Sequence, residues 1–260
     1  MNTSSPLLNA NNGVVSLPDS VTQITPEGDV LLVVGLSQHK IQVSSHFLKL
    51  ISPVFRAMLD APMKEGNGLA DGSDHDDPIE IILPEDKEQP MDQVLRTLYS
   101  SDPSATKFSV SEAKEIAILA EKYGMVERLQ VFASFWLLKA TKTDSEDSEV
   151  TEDDWNTLVV AYTLKVDWAF FAVTKGIRPK NTSLLKFINR FHDKHIGLRL
   201  GMAIEELRNT HFKLERDFRY RIEKEMGLCL FCFSHATGSY TQQCAGCSYP
   251  ERHDRPYQLE

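Results

Sequence analysis

The stretch from residue 28 to residue 59 predicts two strands that run directly into two short helices. Residues 29–35, DVLLVVG, form a β-branched apolar run typical of a strand that is buried on both faces. A polar turn follows, and the alternating KIQV at 40–43 predicts a second, antiparallel strand. Apolar residues then recur at helical spacing, and Ser52-Pro53 is a favourable helix start. Because an isolated hairpin is only marginally stable in water, we expect the helices to cover it.

Local signals predict further elements downstream of this stretch. The sequence IEIIL at 79–83 predicts a third strand. Ser109 with Glu112 three residues later is a capping box for the helix that follows. Thr151 and Asp154 have the same spacing and can cap another helix. The chain is therefore expected to mix a few strands with many helices.

This succession of elements resembles the BTB/POZ family in its fungal form. The matching segments are the strands DVLLVVG and KIQV, the helical SSHFLKLISPVF at 44–55, and LPEDKEQPMDQVLRTLYS at 83–100. The likeness extends loosely to about residue 138. The resemblance implies an α/β (α+β) fold in which a small BTB/POZ-like sheet is covered by helices.

The resemblance also suggests candidate interaction residues. Asp29 lies where the family often has an aspartate that opens the first strand. Many animal members carry Ala-His-Lys or Ala-His-Arg before the first helix, whereas this chain has Val43, Ser44 and Ser45, with its histidine at 46. Asp29, Ser44 and Ser45 are therefore the candidate interaction residues that the resemblance provides.

Composition divides the chain into five parts. Residues 1–22 are rich in Ser, Asn and Pro and are expected to be disordered. Residues 23–140 are the BTB/POZ-like domain, and the Ser-, Thr-, Asp- and Glu-rich residues 141–154 are an acidic linker. Residues 155–226 are expected to form a helical extension, and residues 227–260 a small zinc-knuckle tail.

The helical extension has its own periodic pattern. Residues 155–174 are predicted to form one buried helix, because Lys165 and Asp167 interrupt a run that is too short for a membrane span. Residues 184–226 predict one long helix, or two joined near Gly197 or Gly201. An apolar stripe beginning at Leu200 is expected to pack on a partner or on the first domain. Basic residues on this helix are expected to face solvent: Arg208, Lys213, Arg216, Arg219 and Arg221.

Charge and hydropathy limit the classes of function. The chain of 260 residues has a formal net charge of −9, yet residues 175–224 hold 13 Lys and Arg against 6 Asp and Glu. The acidic first part does not favour nucleic-acid binding, although the basic helix leaves that possibility open. The chain contains neither an evident signal peptide nor an apolar run of the ~20 residues that a membrane span needs. We expect an intracellular protein, in the nucleus or the cytoplasm.

Two Cys-x-x-Cys motifs are the strongest chemical signal in the chain. Cys229 and Cys232 are followed, after eleven residues, by Cys244 and Cys247. Four thiolates at this spacing suit a tetrahedral, structural Zn²⁺ site, and Gly246 can supply a positive φ in the second motif. Disulfides and free or redox-active thiols are the alternatives. The segment between the two motifs can be a small hairpin.

The leading functional hypothesis is a non-enzymatic interaction protein. The sequence has no nucleophile elbow, phosphate-binding loop or zinc-protease motif. The BTB/POZ resemblance implies association with protein partners, and a homodimer is expected. One alternative is a substrate adaptor of a cullin-type ubiquitin ligase, whose cullin-facing surface would lie around residues 91–138. Another is a chromatin- or transcription-associated factor that uses the basic helix and the zinc tail.

Overall fold

The computed structural model describes residues 21–25, 27–60, 78–141, 149–216, 226–242 and 246–247. The described strands are β1 (Thr22–Gln23), β2 (Val30–Val34), β3 (His39–Val43) and β4 (Ile79–Leu83). The described helices are α1 (Ser45–Ile51), α2 (Pro53–Asp60), α3 (Glu88–Tyr99), α4 (Val110–Lys122), α5 (Val126–Ala140), α6 (Glu152–Thr163), α7 (Asp167–Ile177), α8 (Leu185–Arg190), α9 (Lys194–Arg216) and α10 (Leu230–His235).

The four strands form one sheet in the order β1-β3-β2-β4. The central strand β2 is antiparallel to β3 and parallel to β4, so Val30 is paired with both Val43 and Ile79. The short β1 runs parallel to β3 at one edge. The three strands predicted from the sequence are confirmed, and the fold is mixed α/β with a small sheet and many helices.

The two faces of the sheet are covered in different ways. On the inner face Leu32 and Ile41 are fully buried in the core beneath the helices. On the outer face Val33 is only 7% exposed, although it lies outside the core cluster. The Lys40 ammonium pairs with the Glu80 carboxylate at 3.6 Å, and this ion pair joins β3 to β4 across β2. The prediction that β2 is buried on both faces is confirmed, and side chains of the neighbouring strands help to cover the outer face.

Short hydrogen bonds fasten the hairpin to the helices that follow it. The Asp29 carboxylate accepts from the backbone N–H and the hydroxyl of Ser45, both at 2.6 Å, so it caps the first turn of α1. The Ser52 hydroxyl accepts from the Phe55 N–H at 3.0 Å and donates to the Tyr123 carbonyl at 2.6 Å. Ser52 therefore caps α2, as predicted, and also ties it to the end of α4.

Both predicted capping boxes are present. The Ser109 side chain accepts from the Glu112 N–H, and the Glu112 carboxylate accepts from the Ser109 N–H. These hydrogen bonds from the backbone and hydroxyl of Ser109 hold the pKa of Glu112 below its ordinary value. Thr151 and Asp154 form the equivalent box at the start of α6.

The prediction of a single helix over residues 155–174 is wrong. Helix α6 ends at Thr163, and Lys165 adopts a left-handed φ of 56°. The Val166 N–H bonds back to the Ala161 carbonyl at 2.9 Å, the pattern with which helices commonly end. The chain then turns into α7, which packs against α6.

The break within residues 184–226 does not fall at either predicted glycine. It lies between α8 and α9, where the Asp193 carboxylate accepts from the N–H groups of His195 and Ile196 and caps α9. Gly201 lies inside α9, where an added Cβ would be 2.3 Å from the Ile188 side chain. Gly201 thus permits the close contact of α8 with α9.

Arg208 does not face solvent, so that part of the prediction is wrong. Only 9% of the residue is exposed. Its guanidinium donates to the carbonyls of Thr182 and Ile177 at 3.2 and 3.5 Å and pairs with Glu205 at 2.6 Å. The side chains of the other predicted basic residues, Lys213, Arg216, Arg219 and Arg221, lie outside those that the structure describes.

The helices share one hydrophobic core with the sheet. Helix α6 packs against both α4 and α5, and buried residues from β2 to α10 belong to one cluster. The predicted 155–226 region is therefore in direct contact with the predicted BTB/POZ-like domain. Among the described helices, none combines the length and the hydropathy that crossing a membrane requires.

Replacing Gly28 by alanine tests how tightly the hairpin is packed. The added Cβ would lie 2.6 Å from the carbonyl carbon and oxygen of Val43, which are backbone atoms that cannot rotate away. We expect G28A to lower the free energy of unfolding by about 1–3 kcal/mol in urea denaturation. Gly176 is the control, because its Cβ would meet nothing within 4 Å, and G176A should stabilise α7 by about 0.5–1 kcal/mol. Equal stabilities of G28A and the parent chain would contradict the packing described here.

Candidate metal centre

Three of the four cysteines form a cluster in the folded chain. The sulfur atoms of Cys229, Cys232 and Cys247 all lie within 4.8 Å of one another, and those of Cys229 and Cys247 are 3.7 Å apart. Two thiolates bound to one tetrahedral zinc at 2.3 Å would be about 3.8 Å apart. The three cysteines could therefore hold a metal ion. Cys244 lies outside the described residues.

The cluster is built on the start of α10. Cys229 is the residue before the helix, and Cys232 is in its first turn. Burial raises the pKa of the Cys229 thiol, and so does the neighbouring Cys247, whereas hydrogen bonds from the backbone at Cys232 and Phe231 act in the opposite direction. A bound cation would supply the positive charge that a buried thiolate needs.

The second motif turns as the sequence predicts, but the segment between the motifs begins differently. Gly246 has a φ of 87°, which confirms the predicted positive φ beside Cys247. Residues 230–235 form helix α10, so the predicted hairpin is wrong for this part of the segment. Helix formation brings Leu230 and Phe233 to the core, since these residues are three apart and both are buried.

Backbone contacts dock the start of the tail on α7. The Leu228 N–H donates to the buried Thr174 hydroxyl at 2.8 Å, and Arg178 donates to the Met226 carbonyl at 3.2 Å. Gly227 approaches α7 so closely that an added Cβ would lie 2.4 Å from the Phe171 carbonyl oxygen. These contacts fix the position of the chain just before Cys229.

An aromatic cluster holds α10 against the body of the protein. Phe233 is fully buried, and its ring centre lies 5.6, 5.5 and 5.4 Å from those of Tyr162, Phe170 and Tyr240. The Arg199 guanidinium is 5.0 Å from the Phe233 ring centre and donates to the Phe233 carbonyl at 2.9 Å. The tail therefore takes part in the common core, and α7 and α9 help to position the metal-binding cysteines.

Glu206 on α9 fastens the segment that follows α10. Its carboxylate accepts from the Tyr240 N–H at 3.1 Å, from the Thr241 hydroxyl at 3.0 Å and from the Ser239 hydroxyl. Burial by itself would raise the pKa of Glu206, but these hydrogen bonds outweigh it, and the net pKa lies below the ordinary value of 4.5. The carboxylate is thus a fixed anchor for residues 239–241.

The candidate residues from the BTB/POZ resemblance lie at the hairpin, in a different element from the cysteines. Asp29 bonds to Ser45, and Ser44 is the residue before α1, without a side-chain capping bond. Sequence reasoning missed Thr174, Arg199 and Glu206, because no short-range pattern links them to a tail that docks on them from a distance along the chain.

Comparison of the chain with protein-family models, with curated proteins and with solved structures gave no match in any of the three. A functional hypothesis for this chain therefore depends on its own residues and their geometry.

Glu206 should make the docking of the tail depend on pH. A carboxyl group whose pKa is lowered by folding stabilises the folded state above its unfolded pKa, and this contribution is lost as the pH falls through the folded pKa. We expect E206Q to be less stable than the parent chain at neutral pH, with the difference shrinking below about pH 4.5. Thermal melts of both chains across pH measure this difference.

The matched control for Glu206 is E127Q, at an exposed carboxylate in the first turn of α5. A stability difference between E206Q and the parent chain that stays constant from neutral to acid pH would contradict the anchoring role of the Glu206 carboxylate.

Proposed function

We propose that this chain is a non-enzymatic protein–protein interaction protein whose residues 23–140 form a BTB/POZ-like domain of the fungal type. The observation that carries the proposal is the order of elements: a β2–β3 hairpin runs into α1 and α2, then β4 joins the hairpin in parallel, and further helices cover the sheet. The same order follows from the sequence segments that resemble the family. The proposed role is association with a second copy or with other proteins.

An exposed apolar patch on these helices supports a docking role. We name it the α1–α3 patch, and it consists of Phe47, Leu50, Val54 and Tyr99. Leu50 and Tyr99 are 51% and 41% exposed, and Val54 is also exposed. The Phe47 and Tyr99 rings meet edge to face at 5.4 Å, which joins α1 to α3. Contiguous exposed apolar residues of this kind often mark interaction sites.

A charge placed in the α1–α3 patch should weaken self-association. We expect the parent chain to have at least twice the mass of one chain by light scattering at micromolar concentration, and L50E to have a lower average mass. A standard interface buries about 800 Å² on each partner, so one buried glutamate at its centre is costly. The control is L36E, at the 94%-exposed Leu36 in the β2–β3 turn.

Either of two results would count against association through this domain. One is a strictly monomeric parent chain at micromolar concentration. The other is an L50E chain whose mass equals that of the parent, with circular dichroism confirming that both are folded.

We further propose that the cysteine cluster holds one structural Zn²⁺, with Cys244 as the fourth ligand. The 3.7 Å separation of the Cys229 and Cys247 sulfurs suits a shared zinc and is far longer than the ~2.05 Å of a disulfide bond. Four thiolates leave no open position for a substrate, so the metal would stabilise the tail and would not catalyse a reaction. Cys229, Cys232, Cys244 and Cys247 would bind the ion through their sulfurs.

Metal analysis of cysteine variants tests the zinc proposal. We expect one zinc per chain in the parent protein. The variants C229S, C232S, C244S and C247S should each bind zinc more weakly, by at least the roughly 10–100-fold that the loss of an outer-shell partner costs. S234A in α10 is the control. If C244S keeps the zinc affinity of the parent chain, the fourth ligand is another group, and a metal-free parent chain would refute the site.

A further inference from the structure

Helix α9 has a buried face and an opposite face that is open to solvent. Leu200, Ile204 and Leu207 are at most 1% exposed, whereas Leu198 and Met202 on the other side are 51% and 54% exposed. We name the outward residues Lys194, Leu198, Met202 and Glu205 the α9 stripe. Their spacing of four, four and three residues keeps them on one side of the helix.

The surface around the α9 stripe is concave and partly apolar. Leu185 of α8 is 61% exposed and lies beside the stripe with Ile188. Residues 238–242 of the docked tail form the other border. Together these elements enclose a cavity of about 780 Å³ that Leu198 and Met202 also line. A helix is a suitable occupant, because apolar grooves between packed elements commonly receive an amphipathic helix.

The α9 stripe is complementary to itself when two copies of the helix run antiparallel. A two-fold axis near residue 200 sets Leu198 against the second copy's Met202, and Met202 against its Leu198. Lys194 lies six residues before this axis and Glu205 five residues after it. At a rise of 1.5 Å per residue these offsets are about 9 and 7.5 Å, so each Lys194 comes opposite a Glu205 of the other copy.

The charges select this orientation over a parallel one. In a parallel pair, Lys194 would face Lys194 and Glu205 would face Glu205, which is unfavourable on both sides. The Lys194 ammonium donates to the Asn189 carbonyl and has two further N–H donors. One Glu205 oxygen accepts from Arg208, and the second oxygen of the carboxylate can accept from another group.

We propose that a second copy of this chain docks on the α9 stripe, with the two α9 helices antiparallel. This interface is separate from the α1–α3 patch and does not depend on it. The exposed apolar residues amount to a few side chains per copy, which is less than the ~800 Å² per partner of a standard interface. The contact is therefore weak, with a dissociation constant of roughly 10–100 µM.

Charge reversal in two separate chains tests the proposal sharply. In a K194E dimer both ion pairs become Glu–Glu contacts, and in an E205K dimer both become Lys–Lys contacts. A mixture of the two variants restores two pairs of opposite sign. We expect each variant to self-associate about tenfold more weakly than the parent, and their equimolar mixture to recover the parent affinity. Damage to the fold of either variant would not be repaired by mixing.

The measurement is sedimentation velocity at about 100 µM chain, near the expected dissociation constant. All chains carry L50E, so that association through the α1–α3 patch does not contribute. M202E should abolish the dimer, whereas V131E, at an exposed valine on α5, should leave it unchanged. The proposal is overturned if the L50E chain is monomeric at this concentration, if M202E has no effect, or if the mixture associates no better than K194E and E205K alone.

Discussion

Burial of strand β2 is the constraint on which the rest of the structure depends. All five of its residues are buried, although the sheet that contains it has only four strands. Its edges are paired with β3 and β4, its inner face is covered by helices, and the Lys40–Glu80 ion pair spans its outer face. The hairpin can therefore exist only together with the helices that follow it, which is why the Asp29–Ser45 fastening at their junction matters.

The tail obeys the same rule on a smaller scale. A segment of this size has too few apolar residues for a core of its own, and modules below about 40 residues usually need a metal, disulfides or a partner. Phe233 accordingly packs among Tyr162 and Phe170 of the body. The cysteine cluster thus lies at the end of an already anchored helix, so the body of the protein shares in setting the geometry of the metal centre.

The features that the sequence predicted well are those with a local cause. The β-branched run of β2, the capping boxes at Ser109 and Thr151, and the positive φ of Gly246 all follow from neighbouring residues. The end of α6 was missed because Lys165, with no glycine to signal it, takes the left-handed conformation. Solvent exposure was wrongly expected for Arg208, since the carbonyls that it meets belong to other segments.

The contacts of α9 with the tail also limit how that helix can move. Arg199 holds the Phe233 carbonyl and Glu206 holds the segment around Tyr240, and these two anchors are seven residues, or about 10 Å, apart along the helix axis. A rotation of α9 about its own axis, or a slip by one turn, would break both anchors at once. The tail therefore acts as a key that locks the helix in a single angular setting.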